Sequence, residues 1–300
     1  MSLIALLGAV ELGLLFGLVA LGVFLSFRVL QFPDLTVDGS FPLGAAVAAI
    51  LIVSGTNAYL ATLVAMAAGA GAGLVTAWLN VRLKILHLLA SILVMIALYS
   101  VNLRIMGRPN VPLLGEDTVF TPLEALPYPT YVTLPIVLFV LVVLVKLILD
   151  RFLNSEIGLA LRATGVNPRM VQAQGINTGA SILAGMALSN ALVALAGALF
   201  AQSQGAADVT LGVGVIVVGL ASVIGGEALV SPRTVFRATL ACIVGSILYR
   251  MAVAAALNAD FIGLKAQDLN LITAVLVVIA MVLPGARNPL KFLRSGERGK

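Results

Sequence analysis

Apolar residues run through this chain in long unbroken blocks, not at the spacing of one helical face and not in strict alternation. Blocks at 3–27, 57–79, 85–103, 131–149, 179–200 and 235–257 dominate the sequence. At about 1.5 Å per residue, a helix of roughly 20 such residues spans the ~30 Å hydrocarbon core of a bilayer. Three further blocks are less regular. Residues 41–53 are apolar but make only about 20 Å of helix. That predicts a tilted span borrowing polar flanks, or part of a broken helix. Residues 210–230 are interrupted by Gly225, Gly226 and Glu227, which predicts a separate short helix at the end of that block. Residues 269–284 close the series. The pattern predicts an all-α polytopic membrane helix bundle of about nine transmembrane helices (eight to ten are admissible), some broken or short, in one domain over 1–300. No basic segment precedes the first block, and it is long for a signal sequence, so it reads as a retained span.

Composition agrees. Apolar residues make up 61% and charged residues 10%, and mean hydropathy is +1.12. Soluble domains carry about 25% charged residues, so a soluble enzyme, a disordered tail and a coiled coil are all poor fits. The 29 glycines and 12 prolines are tolerated in membrane helices more than in soluble ones. Glycines at 13, 17 and 22, the GAGAG run at 69–73, and glycines at 179, 185 and 197 predict close helix approach. With Cys242 as the single cysteine, no intrachain disulfide can form.

A net charge of +5 in a soluble protein would suggest nucleic acid. Here the cations sit in short loops and in the tail from Gly285, which membrane topology explains without nucleic acid. Placing 151–177 and the tail inside puts 28–40, 80–84 and 231–237 inside as well. Residues 54–56, 104–130, 201–209 and 258–268 then lie outside. Every Lys and Arg except Arg104, Arg108, Arg250 and Lys265 falls in or beside an inner segment. The expected orientation is N-terminus outside and C-terminus cytoplasmic.

Charges inside apolar blocks are costly and usually face protein or a water-filled cavity. Glu11, near the middle of the first block, is a candidate for the pathway or its gate. Asp34 and Asp38 lie in PDLTVDG beside the short 41–53 block, where Asp38–Gly39 reads as a turn. A non-helical segment next to a short helix can form a solute site from free backbone groups. Glu227 follows two glycines, and it either caps exposed amides at the predicted break or belongs, like Glu11, to the pathway or its gate. Arg250 is expected to snorkel to the interface, and His87 to pack. No His, Cys, Asp and Glu cluster has metal-ligand spacing, and no catalytic set or cofactor motif is present.

The segment SEIGLALRATGVNPRMVQAQGIN, residues 155–177, predicts two short helices. Ser155 caps the first, which starts at Glu156. Asn167 and Pro168 start the second. Gly165 and Gly175 suit helix ends. Neither piece can cross a bilayer, and together they predict a basic ledge on the inner face, with Arg162 and Arg169 suited to an acidic partner. No G-x-x-x-x-G-K-[ST] motif occurs, so any nucleotide hydrolysis belongs to another polypeptide.

This segment, together with RVLQFPDLTVDGSFPLGAAV at 28–47 and SNALVALAGALFAQSQGAADVTLGVGVIVVGLASVIGGEAL at 189–229, resembles permease subunits of bacterial ABC importers of the branched-chain amino acid and ribose type. The likeness covers roughly residues 5–290, and it is closest to a less characterised subgroup handling amino acids or related small polar solutes. The resemblance implies two permease subunits, here a homodimer, in the bacterial inner membrane. It also implies two cytoplasmic ATPase subunits and an external or periplasmic solute-binding protein. It makes 156–177 the coupling element to the ATPase, with Gly165 in the family's glycine-containing motif and Arg162, Asn167 and Gly175 matching its pattern. Glu156 and Arg169 share that ledge. A secondary transporter driven by an ion gradient through Glu11 is the alternative. A membrane enzyme lacks convergent catalytic groups, and a scaffold does not explain the broken spans.

Overall fold

Six helices are long and apolar enough to cross a membrane among the described residues, and two more are apolar but shorter. The computed structural model describes residues 3–124, 127, 129–257, 275 and 278. The predicted span at 269–284 and the basic tail lie outside the described residues, apart from those two positions. The chain runs α1 (Leu3–Val23, continued by a π-helical turn Phe24–Val29), α2 (Val37–Val53), α3 (Ala58–Leu83), α4 (His87–Met106), β1 (Asn110–Pro112), α5 (Thr121–Glu124) and α6 (Thr130–Leu153). It continues with α7 (Glu156–Val166), α8 (Pro168–Ala173), α9 (Thr178–Gln204), β2 (Ala206–Asp208), α10 (Val215–Leu229) and α11 (Val235–Leu257). The all-α bundle is as expected. A three-residue antiparallel pairing, Val111 opposite Ala207, is a small addition at one end.

Helix starts follow side-chain chemistry. Asn57, Ser155, Asn167 and Asn177 each accept a backbone N–H of the first turn, at Tyr59, Gly158, Met170 and Ala180. Ends are closed by left-handed residues, among them Gly107 and Gly205.

The bundle is organised around α9, the most buried of the long helices. Hydrocarbon offers little hydrophobic drive between helices, so close packing and hydrogen bonds must hold them. The glycines of α2, α3 and α9 itself supply the approach. A Cβ at Gly44 would lie 2.0 Å from the carbonyl oxygen of Ala194, and one at Gly197 would lie 1.9 Å from that of Phe41. Gly69 and Gly73, one turn apart, press on the α9 backbone at Asn190 and Met186, while Gly71 between them meets nothing. On the other side α1 packs antiparallel to α11, with Gly13 against Ile247 and Ser246 donating to the Gly13 carbonyl at 2.6 Å.

Two expectations need correction. Asp38–Gly39 is not a turn, because both residues belong to the first turn of α2. An acidic side chain is favoured there by the helix dipole. The 210–230 block breaks at its beginning, not at Gly225–Glu227. Residues 209–214 are non-helical, and α10 runs unbroken through Gly225, Gly226 and Glu227. Gly226 serves packing, since a Cβ there would lie 1.9 Å from the Ala241 carbonyl.

Candidate functional site

The two short apolar helices start deep in the bundle, and their first turns meet. α2 begins after the buried Asp34, and α10 begins after the 209–214 segment. The Asp38 carboxylate accepts the N–H of Ile216 at 2.7 Å and that of Gly214 at 3.4 Å. An acid in the first turn of one half-helix thus caps the start of the other. The backbones also touch, because a Cβ at Gly212 would lie 1.8 Å from the Asp38 carbonyl.

Asp34 anchors the other side of this junction. It is fully buried and accepts from the Thr36 N–H at 2.9 Å and from the Asn190 side-chain amide at 2.8 Å. Asn190 in turn accepts from Ser40 at 2.7 Å. The hydroxyls of Thr36 and Thr76 lie 2.8 Å apart. Asn190 is about 18 Å along α9 from Thr178, in a helix about 40 Å long, so this network lies near mid-bundle. Asn102 on α4 donates to the Gly39 carbonyl at 3.2 Å. Beside it a cavity of about 440 Å³ is lined by Asp38, Tyr99, Ser100, Asn102 and Thr210 among others.

The predicted ledge forms at the end of the bundle where α6 finishes. Ser155 and Asn167 cap α7 and α8 as expected, Pro168 is the first residue of α8, and Gly175 follows α8 with φ +82°. Gly165 differs from expectation. It lies inside the last turn of α7 and ends no helix. A Cβ there would lie 1.9 Å from the Val29 carbonyl oxygen, so it allows α7 to seat against the end of the first span. Glu156, Asn167, Arg169 and Gly175 are exposed, whereas Arg162 is half-buried. Its Nε is buried with no hydrogen-bond partner among the described residues.

The other singled-out charges are scattered. Among the described residues Glu227 caps no amide. It receives a two-pronged contact from Arg28, whose Nε lies 2.9 and 3.0 Å from the two carboxylate oxygens. Glu11 is half-buried and hydrogen-bonded to Ser203 near the far end of α9. Arg250 does not snorkel, because its guanidinium lies 3.8 Å from the centre of the Phe16 ring. His87 packs edge-on to Phe32, as expected. Among the described residues, no group of His, Cys, Asp and Glu is placed to hold a metal.

Sequence reasoning missed four residues. Asn102 and Asn190 were visible as lone amides in apolar helices, a pattern that demands a partner. Lys146 and Asp150 form a buried i,i+4 ion pair in α6. Asp150 also accepts from Thr239 at 2.6 Å, and the Lys146 ammonium lies over the Phe236 ring. Their spacing was the available signal.

Comparison with known proteins agrees with this architecture. Residues 5–283 match the family described as branched-chain amino acid transport system / permease component. A tyrosine transport system permease protein of Clostridioides difficile is 40% identical over 276 residues, covering 92% of this chain and 89% of that one. An uncharacterised protein of Rickettsia prowazekii is 33% identical over 280 residues, covering 92% and 96%. No solved structure matches the chain. Apolar helices packed through small residues around a buried polar junction, in a chain matched almost end to end, make it a member of the branched-chain amino acid transport permease family.

Proposed function

We propose that this chain is the membrane-spanning subunit of an ATP-driven importer that carries an amino acid across the bacterial inner membrane. An external binding protein delivers the solute, a pair of identical permease subunits forms the path, and separate cytoplasmic ATPases supply the energy. Support for an amino-acid solute comes from the tyrosine transport permease at 40% identity. Support for a separate ATPase comes from a sequence with no phosphate-binding loop of its own.

The seat of Gly165 against the Val29 carbonyl carries the reading. α7 and α8 are too short to span, and they stand at the basic end with Arg169 exposed and Glu156 at the start of α7. Motion applied to this ledge passes without slack into the end of the first span. Arg28, one residue before Val29, holds Glu227 of α10, and the start of α10 is tied to α2 through Asp38. The ledge therefore joins the mid-bundle junction through packed and hydrogen-bonded groups, as a two-state element biased from the cytoplasm requires. In this orientation the N-terminus is outside and the C-terminus cytoplasmic. The gradient-driven alternative would rest on Glu11. That residue lies about 17 Å of helix from Gly22, which packs beside Ser189 and the polar network.

The test is substrate-stimulated ATP hydrolysis in the assembled complex. Arg162→Ala and Gly165→Val should each lower the stimulation while the complex still assembles. Stimulation equal to the unaltered protein in both variants contradicts the coupling role.

A further inference from the structure

Arg250 is a cation inside a membrane-spanning helix, and no anion among the described residues holds it. It lies about 22 Å along α11 from Val235, in a helix of 23 residues. A charge at such a depth is costly unless it is paired or faces a water-filled cavity. Arg250 belongs to neither of the ion pairs found among the described residues. Glu11, the acid on the facing helix α1, is bonded to Ser203 instead. The guanidinium lies over the Phe16 ring, and a cation–π contact uses none of its N–H donors. The Nε is enclosed without a partner. The terminal nitrogens are not enclosed, and they make no hydrogen bond among the described residues.

The space beside this group is a cavity. Arg250 and Phe16 line about 250 Å³ between α1, the end of α9, the start of α10 and α11. Apart from Gln204 and Val213, the lining residues are buried or half-buried. The volume lies just below the roughly 300–1,000 Å³ of sites for drug-sized ligands, which suits a small solute. Among the described residues no acid lines it. Gln204 adds an amide that can donate, and the other walls are apolar, with Phe200 and Val215 among them. Asp38 already takes the N–H groups of Gly214 and Ile216, so the attraction for an anion comes from Arg250. A guanidinium is always charged and matches a carboxylate with a two-pronged contact. The start of α10 forms one wall, and the ledge reaches that helix through Arg28 and Glu227.

We infer that this cavity receives the carboxylate of the transported amino acid. Arg250 anchors it, the Gln204 amide is a second donor, and the apolar side chain lies against Phe200 and Val215. The inference rests on the import reading above and names the seat of the solute's anionic end, which that reading leaves open.

The test uses the complete complex of permease, ATPase and binding protein in proteoliposomes, with labelled L-tyrosine and L-leucine as probes. Uptake of neither by the unaltered complex overturns the import reading, and the site falls with it. Where the unaltered complex imports, Arg250→Gln should lower uptake by about tenfold, the scale of one lost charge-assisted hydrogen bond. Uptake within about twofold of the unaltered complex overturns the site while leaving import standing. A second measurement keeps Arg250 in place and does not depend on how well Arg250→Gln folds. Val213 lines the cavity and is 77% exposed. Val213→Cys is placed in the otherwise unaltered chain, whose single native thiol, Cys242, is fully buried. Two methanethiosulfonates, one carrying a sulfonate and one a trimethylammonium, are added from the binding-protein side, and each rate is taken relative to free cysteine. The sulfonate reagent should react several-fold faster, because the guanidinium attracts it. The imported amino acid should slow that reaction, whereas its decarboxylated amine (tyramine or 3-methylbutylamine) should not. Equal rates for the two reagents would show that another anion, such as a lipid phosphate, already neutralises Arg250, and would overturn the inference. Labelling that ignores the amino acid, equal protection by the amine, or no labelling at all overturns it too.

Discussion

At the scale of single residues, the bundle depends on a few polar side chains whose partners come from distant parts of the chain. Asp34 and Asn190 are the clearest case, since a buried carboxylate keeps its place through the amide and one backbone N–H. Asn190→Leu should lower stability by about 2 kcal/mol, the scale of a hydrogen bond to a charged group. The thermal midpoint of the purified protein in detergent measures this, and an unchanged midpoint would show that Asp34 finds another partner. Glycines give an equally sharp contrast. Gly69→Ala must displace the α9 backbone at Asn190, and overpacking of that kind costs about 1–3 kcal/mol. Gly71→Ala meets open space and should leave the midpoint unchanged. The GAGAG run announced close approach in the sequence. Which of its glycines make that approach depends on how α3 is rotated toward α9, and uniformly apolar neighbours leave that rotation unmarked.

At the scale of elements, hydropathy located the long helices well because hydrocarbon forces both length and apolarity on them. The ledge was also legible, down to its caps at Ser155 and Asn167, because capping is local chemistry. The half-helices were harder to read. Asp38–Gly39 has the composition of a turn, but its role is set by Gly214 and Ile216, about 180 residues away in sequence. The Gly225–Gly226 pair looked like a break because a sequence does not distinguish a glycine that ends a helix from one that lets Ala241 come close. Asp208, the last residue of β2, leads the chain into the α10 junction. Hydrogen bonds from the Thr210 hydroxyl and N–H hold its carboxyl below the usual carboxylate range. A depressed acid stabilises above its unfolded pKa and loses that contribution as pH falls through the folded value. Exchange protection of the Thr210 amide should therefore persist on acidification into the ordinary carboxylate range and fade below it. In Asp208→Ala it should be weak throughout. Protection that ignores Asp208 would show that the turn is held by its backbone alone.

At the scale of the whole molecule, the arrangement is a relay between two ends. The ledge seats on the first span at Gly165, Arg28 links that span to α10, and Asp38 joins α10 to α2 beside the cavity at Asn102. The resemblance in the sequence anticipated the ledge and the family, but not the route between ledge and cavity. That route runs through carbonyls and glycines, which carry no sequence label for their partners. The account requires the ledge to face the cytoplasm and the β pairing to face outside. Arg169→Cys on α8 and Leu114→Cys, at the other end and 89% exposed, report on the two faces against the buried Cys242. With a membrane-impermeant maleimide on intact cells, Leu114→Cys should label at once, and Arg169→Cys only after the membrane is opened. Labelling of Arg169→Cys in intact cells would contradict the central claim, because no cytoplasmic motor could then reach the ledge.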